Sequence, residues 1–259
     1  MLIEVSALIK LYKNKIWQNN IIILDASWYL PNQNRNAYKE YKNSHIPHAL
    51  YFDIDKVCNL ASNLPHTVPT ESQFIKNMEE LGIGNKNHII IYSYDGIGTS
   101  PRAWWLFKLF GHQNVSILNG GLQAWLKISL PENKNILKVI SSKYKAKLNK
   151  NLLTLHKDIT NSFNSSNYQI VDARSTGRFR GIDEEPRPGL RKGHIPNSIN
   201  IPFNIFIDKN GYFITKKEII NILENNKFNF NITTISTCGS GITACVLAFA
   251  LSLIGKNNW

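Results

Sequence analysis

Hydrophobic and polar positions run through one cycle along the first half of the chain and repeat it in the second. Residues 21–27, IIILDAS, are a short apolar run closed by Asp25 and Ala26; residues 168–174, YQIVDAR, close the same way on Asp172 and Ala173. Unbroken apolar runs of this length predict strands buried on both faces of a parallel sheet. Next come SHIPHALYFDI (44–54) and GHIPNSINIPF (193–203). Asp25 lies 20 residues before His45, and Asp172 lies 22 before His194. Last come HIIIYSYDGIGTSPRAWWLFKLFG (88–111) and TTISTCGSGITACVLAFALSLIG (233–255), each an apolar strand, a glycine-containing loop and an apolar helix. Strands alternating with helices predict an α/β protein whose parallel sheets are flanked by helices. The period is too long for a solenoid, so the pattern reads as two tandem domains.

The expected boundaries are a first domain over 1–130, a linker over 131–150 and a second domain over 151–259. Residues 131–150, PENKNILKVISSKYKAKLNK, are polar and lysine-rich, with one extended stretch expected near Tyr144. The copies differ at two places. The first carries Asp95 in its loop where the second is read as carrying Cys238. After its last apolar helix the first copy continues HQNVSILNGGLQAWLK, a strand, a turn and a helix, whereas the second has only KNNW. Residues 256–259 align with 112–115, and the second domain is expected to lack its last strand and helix. That predicts bare ladder groups on residues 170–172 and 235–237, and an apolar helix 244–254 partly uncovered.

Composition adds little. The chain has 259 residues, is 43% hydrophobic and carries a formal charge of +12. The lysines are scattered among asparagines and isoleucines, with no basic helix face, so nucleic-acid binding is not expected. No apolar run reaches membrane-spanning length, and no signal peptide is evident. Three cysteines at irregular spacing make no disulfide framework or metal site, which fits a reducing, cytoplasmic setting. Neither a metal-ligand cluster nor a nucleotide loop is visible, so no cofactor is expected.

The chemistry concentrates at CGSGIT, 238–243. Gly239 and Gly241 let the backbone curl and turn amides inward, with Ile242 and Thr243 leading into the positive end of a helix. Such a cradle favours an ionised sulfur at Cys238 and holds an anion against it. Cys245 falls on the apolar helix and reads as core; Cys58 reads as a bystander. GRFRGIDEEPR, 177–187, offers guanidinium forks for a carboxylate. The blander reading pairs these arginines with Glu184 or Glu185 in a solvated loop. A cysteine phosphatase needs an arginine six residues after its cysteine; here that residue is Ala244.

HIPHALYFDIDK, SPRAWWLFKLFG, NGGLQAWL, GRFRGIDEEPRPGLRKGHIP and CGSGITA together resemble the tandem-domain rhodanese family, specifically its 3-mercaptopyruvate sulfurtransferase branch. The resemblance covers nearly the whole chain. It implies two rhodanese-like domains, the first catalytically silent. It implies sulfur transfer from a small anionic donor through a Cys238 persulfide to a thiol or cyanide, with thioredoxin among the thiol acceptors and pyruvate released. Uncharged Gly239 and Ser240 after the cysteine are similar to the mercaptopyruvate branch; thiosulfate is the alternative donor. A truncated rhodanese acting only as a binding module is the non-enzyme alternative. By motif position the resemblance implies Arg178 and Arg187 as the substrate-binding pair. It further implies that Asp55 and His66 form a serine-protease-like relay with Ser240. Arg180 and Arg191 are expected to be surface charges, and His45 and His194 structural hydrogen-bonders.

Overall fold

The computed structural model describes residues 1–13, 20–128, 134–135, 139–160 and 167–259. It divides into two compact units, Met1–Asn149 with Lys209–Phe213, and Lys150–Asp208 with Ile214–Trp259. Parts of the expected linker, 131–133 and 136–138, lie outside the described residues.

The first unit contains β1 (Leu2–Ile3), α1 (Val5–Lys13), β2 (Ile21–Asp25), α2 (Ala37–Asn43), β3 (Ala49–Tyr51), α3 (Glu71–Glu80), β4 (His88–Tyr92), α4 (Ser100–Leu109), β5 (Val115–Leu118) and α5 (Gly121–Lys127). Its sheet runs β1-β5-β4-β2-β3 with every pair parallel. The two most apolar runs become two of the three inner strands: Leu24, Ile89, Ile90 and Ile91 are fully buried. The amphipathic α3 starts where Thr70 and Gln73 cap each other reciprocally. By contrast α4 is buried at every residue except Lys108. Residues 139–149 run along this unit without regular structure, and Tyr144 is buried with its hydroxyl 3.1 Å from His112 Nδ1.

The second unit contains α6 (His156–Thr160), β6 (Tyr168–Asp172), α7 (Thr176–Phe179), β7 (Ile199–Asn200), a 3-10 turn (Phe203–Phe206), α8 (Lys216–Asn225), β8 (Thr233–Thr237) and α9 (Ala244–Leu253). Its three strands run β7-β6-β8, again all parallel. The repeat is literal at its centre. In unit one Asp25 ends β2 opposite Tyr92; in unit two Asp172 ends β6 opposite Thr237. The next amide repeats too, Ala26 N donating to Tyr92 O and Ala173 N to Thr237 O, both at 2.8 Å.

That register corrects the expected pairing of Asp95 with Cys238. Cys238 follows Thr237 as Ser93 follows Tyr92, so the counterpart of the thiol is the Ser93 hydroxyl. The loops re-align at Gly96 (φ 80°) and Gly241 (φ 77°), which puts Asp95 opposite Ser240. One extra residue then carries the first loop to its helix. Sequence alone hid this because loop length varied while glycines drew the eye.

Two expectations about the second unit are also corrected. Residues 170–172 do not have a bare ladder: β6 is the central strand, paired on one side with β7 and on the other with β8. The apolar helix is covered over most of its length: residues 244–251 are buried, with α9 packed on the 3-10 turn and on β8, and 252–254 are half-buried. The outer edge of β8 carries no strand among the described residues, but it is closed at one point. Asn258 O accepts from Thr234 N at 2.9 Å, as Asn114 O does from Ile89 N. Lys256 donates to Ile232 O at 2.7 Å, where His112 lies 2.9 Å from Asn87 O. The turns leading there match as well, with Gly111 and Gly255 both at φ 85°. The expected alignment of 256–259 with 112–115 is therefore seen in the backbone.

Candidate active site

Cys238 stands where β8 ends and the loop to α9 begins, the edge at which open parallel sheets place ligands. It is half-buried, and its sulfur accepts from Gly241 N at 3.1 Å. Gly241 can aim that amide inward because it sits at φ 77°, a left-handed conformation that glycine adopts without strain. The amides of Gly239, Ser240, Ile242 and Thr243 donate to no protein acceptor among the described residues. A half-exposed sulfur in a loop with uncommitted amide donors is equipped to act as a nucleophile and to hold an anion beside it.

The first repeat has the same loop and has closed it. Ser93 Oγ accepts from Thr99 N at 3.1 Å and Ser100 N at 3.0 Å, and donates to Ile97 O at 2.8 Å. Ile97 N donates to Gly211 O at 3.1 Å. Asp95 lies 2.5 Å from Arg35 Nη1, whose guanidinium also binds Glu40 and covers the Tyr29 ring. The Ser93 hydroxyl, the amides of Ile97, Thr99 and Ser100, and the Arg35 guanidinium are engaged within the unit.

The other two thiols differ from Cys238. Cys245 is buried on α9, its sulfur donating to Gly241 O at 3.1 Å. Cys58 is buried and donates to Asp55 O at 2.9 Å; burial first, then the Asp55 charge, pushes its pKa up. All three cysteines are free.

Arg178 lies on α7, whose start is capped by Ser175. A methyl group on residue 239 would lie 2.9 Å from Arg178 Nη2, so the guanidinium rests on the cysteine loop where glycine leaves room. Its other flank meets Glu185, with Nε 3.2 Å from Oε1 and Nη2 2.5 Å from Oε2. The bland pairing with Glu185 and a place beside the loop therefore hold together. Arg187 is half-buried and has no partner among the described residues. Arg180 and Arg191 are exposed. His45 and His194 lie within 2.8 Å of the Tyr41 and Phe179 carbonyls and stack on those residues' rings.

Arg174 carries weight that sequence reading did not assign, and Glu185 is a buried partner of the arginines where a solvated one was expected. Arg174 binds Asp172 at 2.6 Å and Glu185 at 2.9 Å, and Glu185 joins it to Arg178. The available signal was the contrast between DAS and DAR at the same place in the repeat. Glu185 is held below the usual carboxylate range: burial raises its pKa, and Arg178 and Arg174 together outweigh that.

In the first unit His66 Nε2 lies 2.8 Å from Asp55 Oδ1, and the Trp28 indole donates to both oxygens of Asp55 at 3.0 Å. The Trp28 ring meets the imidazole edge-on with centroids 4.9 Å apart. His66 Nδ1 is buried and has no partner among the described residues. Among the described residues no three His, Cys, Asp or Glu side chains gather as a metal site would need.

Comparison with known proteins places this geometry. The rhodanese-like domain matches residues 8–128 and again 155–258. The 3-mercaptopyruvate sulfurtransferase of Homo sapiens is 39% identical over 236 residues, 90% of this chain and 80% of its own. The thiosulfate sulfurtransferase of Rattus norvegicus is 38% identical over 237 residues, again 90% and 80%. Among solved structures, the 3-mercaptopyruvate sulfotransferase SseA from Escherichia coli aligns over 99% of this chain and 95% of its own, with a TM-score of 0.90 at 31% identity.

Proposed function

The chain belongs to the rhodanese family, and from that premise we propose that it takes sulfur from 3-mercaptopyruvate onto Cys238 and passes it to a thiol, releasing pyruvate. The chain is a sulfurtransferase; relatives 38–39% identical over 90% of its length share that activity. The choice of donor is supported by one observation above all. The half-exposed Cys238 sulfur is followed by two uncharged residues, Gly239 and Ser240, and the arginine resting on the loop is already neutralised by Glu185.

In the first half-reaction the Cys238 thiolate attacks the donor sulfur. The new S–S bond forms as the donor C–S bond breaks, and its electron pair leaves as the enolate of pyruvate. The enolate takes one proton at carbon to become pyruvate. In the second, an acceptor thiolate attacks the outer sulfur and returns the electron pair of the S–S bond to Cys238. The acceptor leaves as a persulfide, or as thiocyanate when cyanide takes the thiol's place. Arg178 and Arg187 hold the donor carboxylate, and the loop amides of Gly239, Gly241, Ile242 and Thr243 receive the sulfur anions. Ser240 offers a hydroxyl to the carbonyl that becomes the enolate. Asp55 and His66 enter as a proton-handling pair. Thioredoxin is a fitting protein acceptor because it presents a reactive thiolate. A cytoplasmic, reducing setting suits three free cysteines. Among the described residues no helix is long and apolar enough to cross a membrane.

A second reading, thiosulfate as donor, is favoured by relatives of that activity at 38% identity. Incubation with each donor in turn, followed by intact-mass measurement, tests both. 3-Mercaptopyruvate is expected to release pyruvate and add one sulfur atom at Cys238, with both signals lost in Cys238→Ser. Pyruvate release undiminished in Cys238→Ser would sink the mechanism.

A further inference from the structure

On the reading that Arg178 and Arg187 bind the donor, we infer that Glu185 sets the donor preference, by leaving the site one uncompensated positive charge rather than two. The four groups Asp172, Arg174, Glu185 and Arg178 form an unbroken chain. Asp172 Oδ2 lies 2.6 Å from Arg174 Nη2, Arg174 Nη1 2.9 Å from Glu185 Oε1, and Glu185 Oε2 2.5 Å from Arg178 Nη2. The two carboxylates are 2% and 5% exposed, so solvent screens these contacts weakly. Two guanidiniums and two carboxylates sum to zero. Residues 239 and 240 add no charge, and Glu184 is drawn off by Lys192. Arg187 is half-buried and has no partner among the described residues; Arg180 and Arg191 are likewise unpaired there but exposed, where solvent screens their charge. The site is thereby matched to a donor with one negative charge and is underpowered for one with two.

Glu185 also orients the fork. Its two oxygens occupy Nε and one Nη2 hydrogen of Arg178. The donor carboxylate is left the Nη1 end, so Arg178 meets it end-on while Arg187 keeps its whole fork. The first repeat isolates the origin of the device. Ser27 stands there where Arg174 stands in the second, and Asp25 accepts from Ser27's amide and hydroxyl, at 2.9 and 2.5 Å, and from the Tyr92 hydroxyl. No arginine chain begins from it.

The test compares kcat/KM for thiosulfate and for 3-mercaptopyruvate in the full-length protein. Glu185→Gln keeps the side chain's shape and adds one net positive charge. The thiosulfate to 3-mercaptopyruvate ratio is expected to rise about tenfold, since the extra charge acts on one further donor charge at low dielectric. Glu185→Asp, which keeps the charge, is expected to hold the ratio near that of the unaltered protein. Arg174→Gln removes a positive charge and is expected to move the ratio the other way; it decides the matter alone if Glu185→Gln does not fold. A ratio unchanged in both charge-altering variants, or both donors falling together, overturns the assignment while leaving the sulfurtransferase reading intact. Unaltered protein that releases no pyruvate from 3-mercaptopyruvate overturns that reading and the assignment with it.

Discussion

Ser93 and Cys238 stand at the same place in the two repeats, one residue past the end of the strand that pairs with the Asp-Ala strand. The hydroxyl is 3% exposed and its bonds are filled by its own loop; the sulfur is half-exposed, held by one amide. The first repeat thus lacks the sulfur at this place and has in addition saturated the group that stands there. Ser93→Cys in a Cys238→Ser background is therefore expected to restore no sulfur transfer. It should also lower unfolding stability by about 1–3 kcal/mol, because the longer bonds of sulfur leave Thr99 and Ser100 amides poorly paired. Turnover regained by that double variant would show the saturated loop to be no barrier.

His66 touches Asp55 through Nε2, and the Trp28 indole, in edge contact with the imidazole, donates to both oxygens of the same carboxylate. A pair held this way can pass a proton without moving. His66→Gln is expected to lower kcat for pyruvate release about a hundredfold or more, the range of a lost general acid or base, with KM nearly unchanged. A rise in KM with kcat intact would assign His66 to positioning instead.

Much of this was legible from the chain. Buried parallel strands announce themselves as apolar runs, and the paired IIILDAS and YQIVDAR located the centre of both sheets. Cys238 stood out because a thiol followed by glycines before a helix has few structural uses. What stayed hidden was pairing that has no period. Arg174 reaches Glu185 eleven residues on and Asp172 two residues back, and only the fold brings the three together. The counterpart of the thiol was misread because matching the first glycine of each loop, Gly96 with Gly239, shifts the pairing, whereas strand register fixes it at Tyr92 and Thr237. Residues 170–172 were misread as an open edge because a strand's neighbours follow from topology, which hydrophobicity alone does not order.

Gly239 is flanked by Arg178 and has no positive φ to protect. A methyl group there lies 2.9 Å from a guanidinium nitrogen, which must swing away. Because the far end of a flexible side chain gives easily, Gly239→Ala is expected to change stability by no more than about 0.5 kcal/mol. The displaced arginine should raise KM for 3-mercaptopyruvate several-fold. Gly241→Ala, at φ 77°, should instead destabilise by about 1 kcal/mol or more through backbone strain. Equal melting temperatures for the two variants would contradict the distinction.

Asp25 gives the first unit a pH dependence whose sign can be worked out. Burial pushes its carboxyl up from 3.8 to about 6, against the pull of the Ser27 hydroxyl and amide and of Tyr92. The folded state therefore holds the proton more tightly than the unfolded chain. Its contribution is fully present below the unfolded value and is lost as pH rises through about 6. The difference of roughly two units corresponds to about 3 kcal/mol, an upper figure for so buried a group. Asp172, at the same place in the second unit, keeps Arg174 at 2.6 Å and so has a cation to stabilise its charge. Asp25→Asn can still accept from Ser27 but cannot ionise. Between pH 4 and 7 the unaltered protein should lose stability that Asp25→Asn retains, so their melting curves should separate as pH rises. Parallel curves over that range would mean that Asp25 reaches water or a cation once it ionises, and that its burial is relieved.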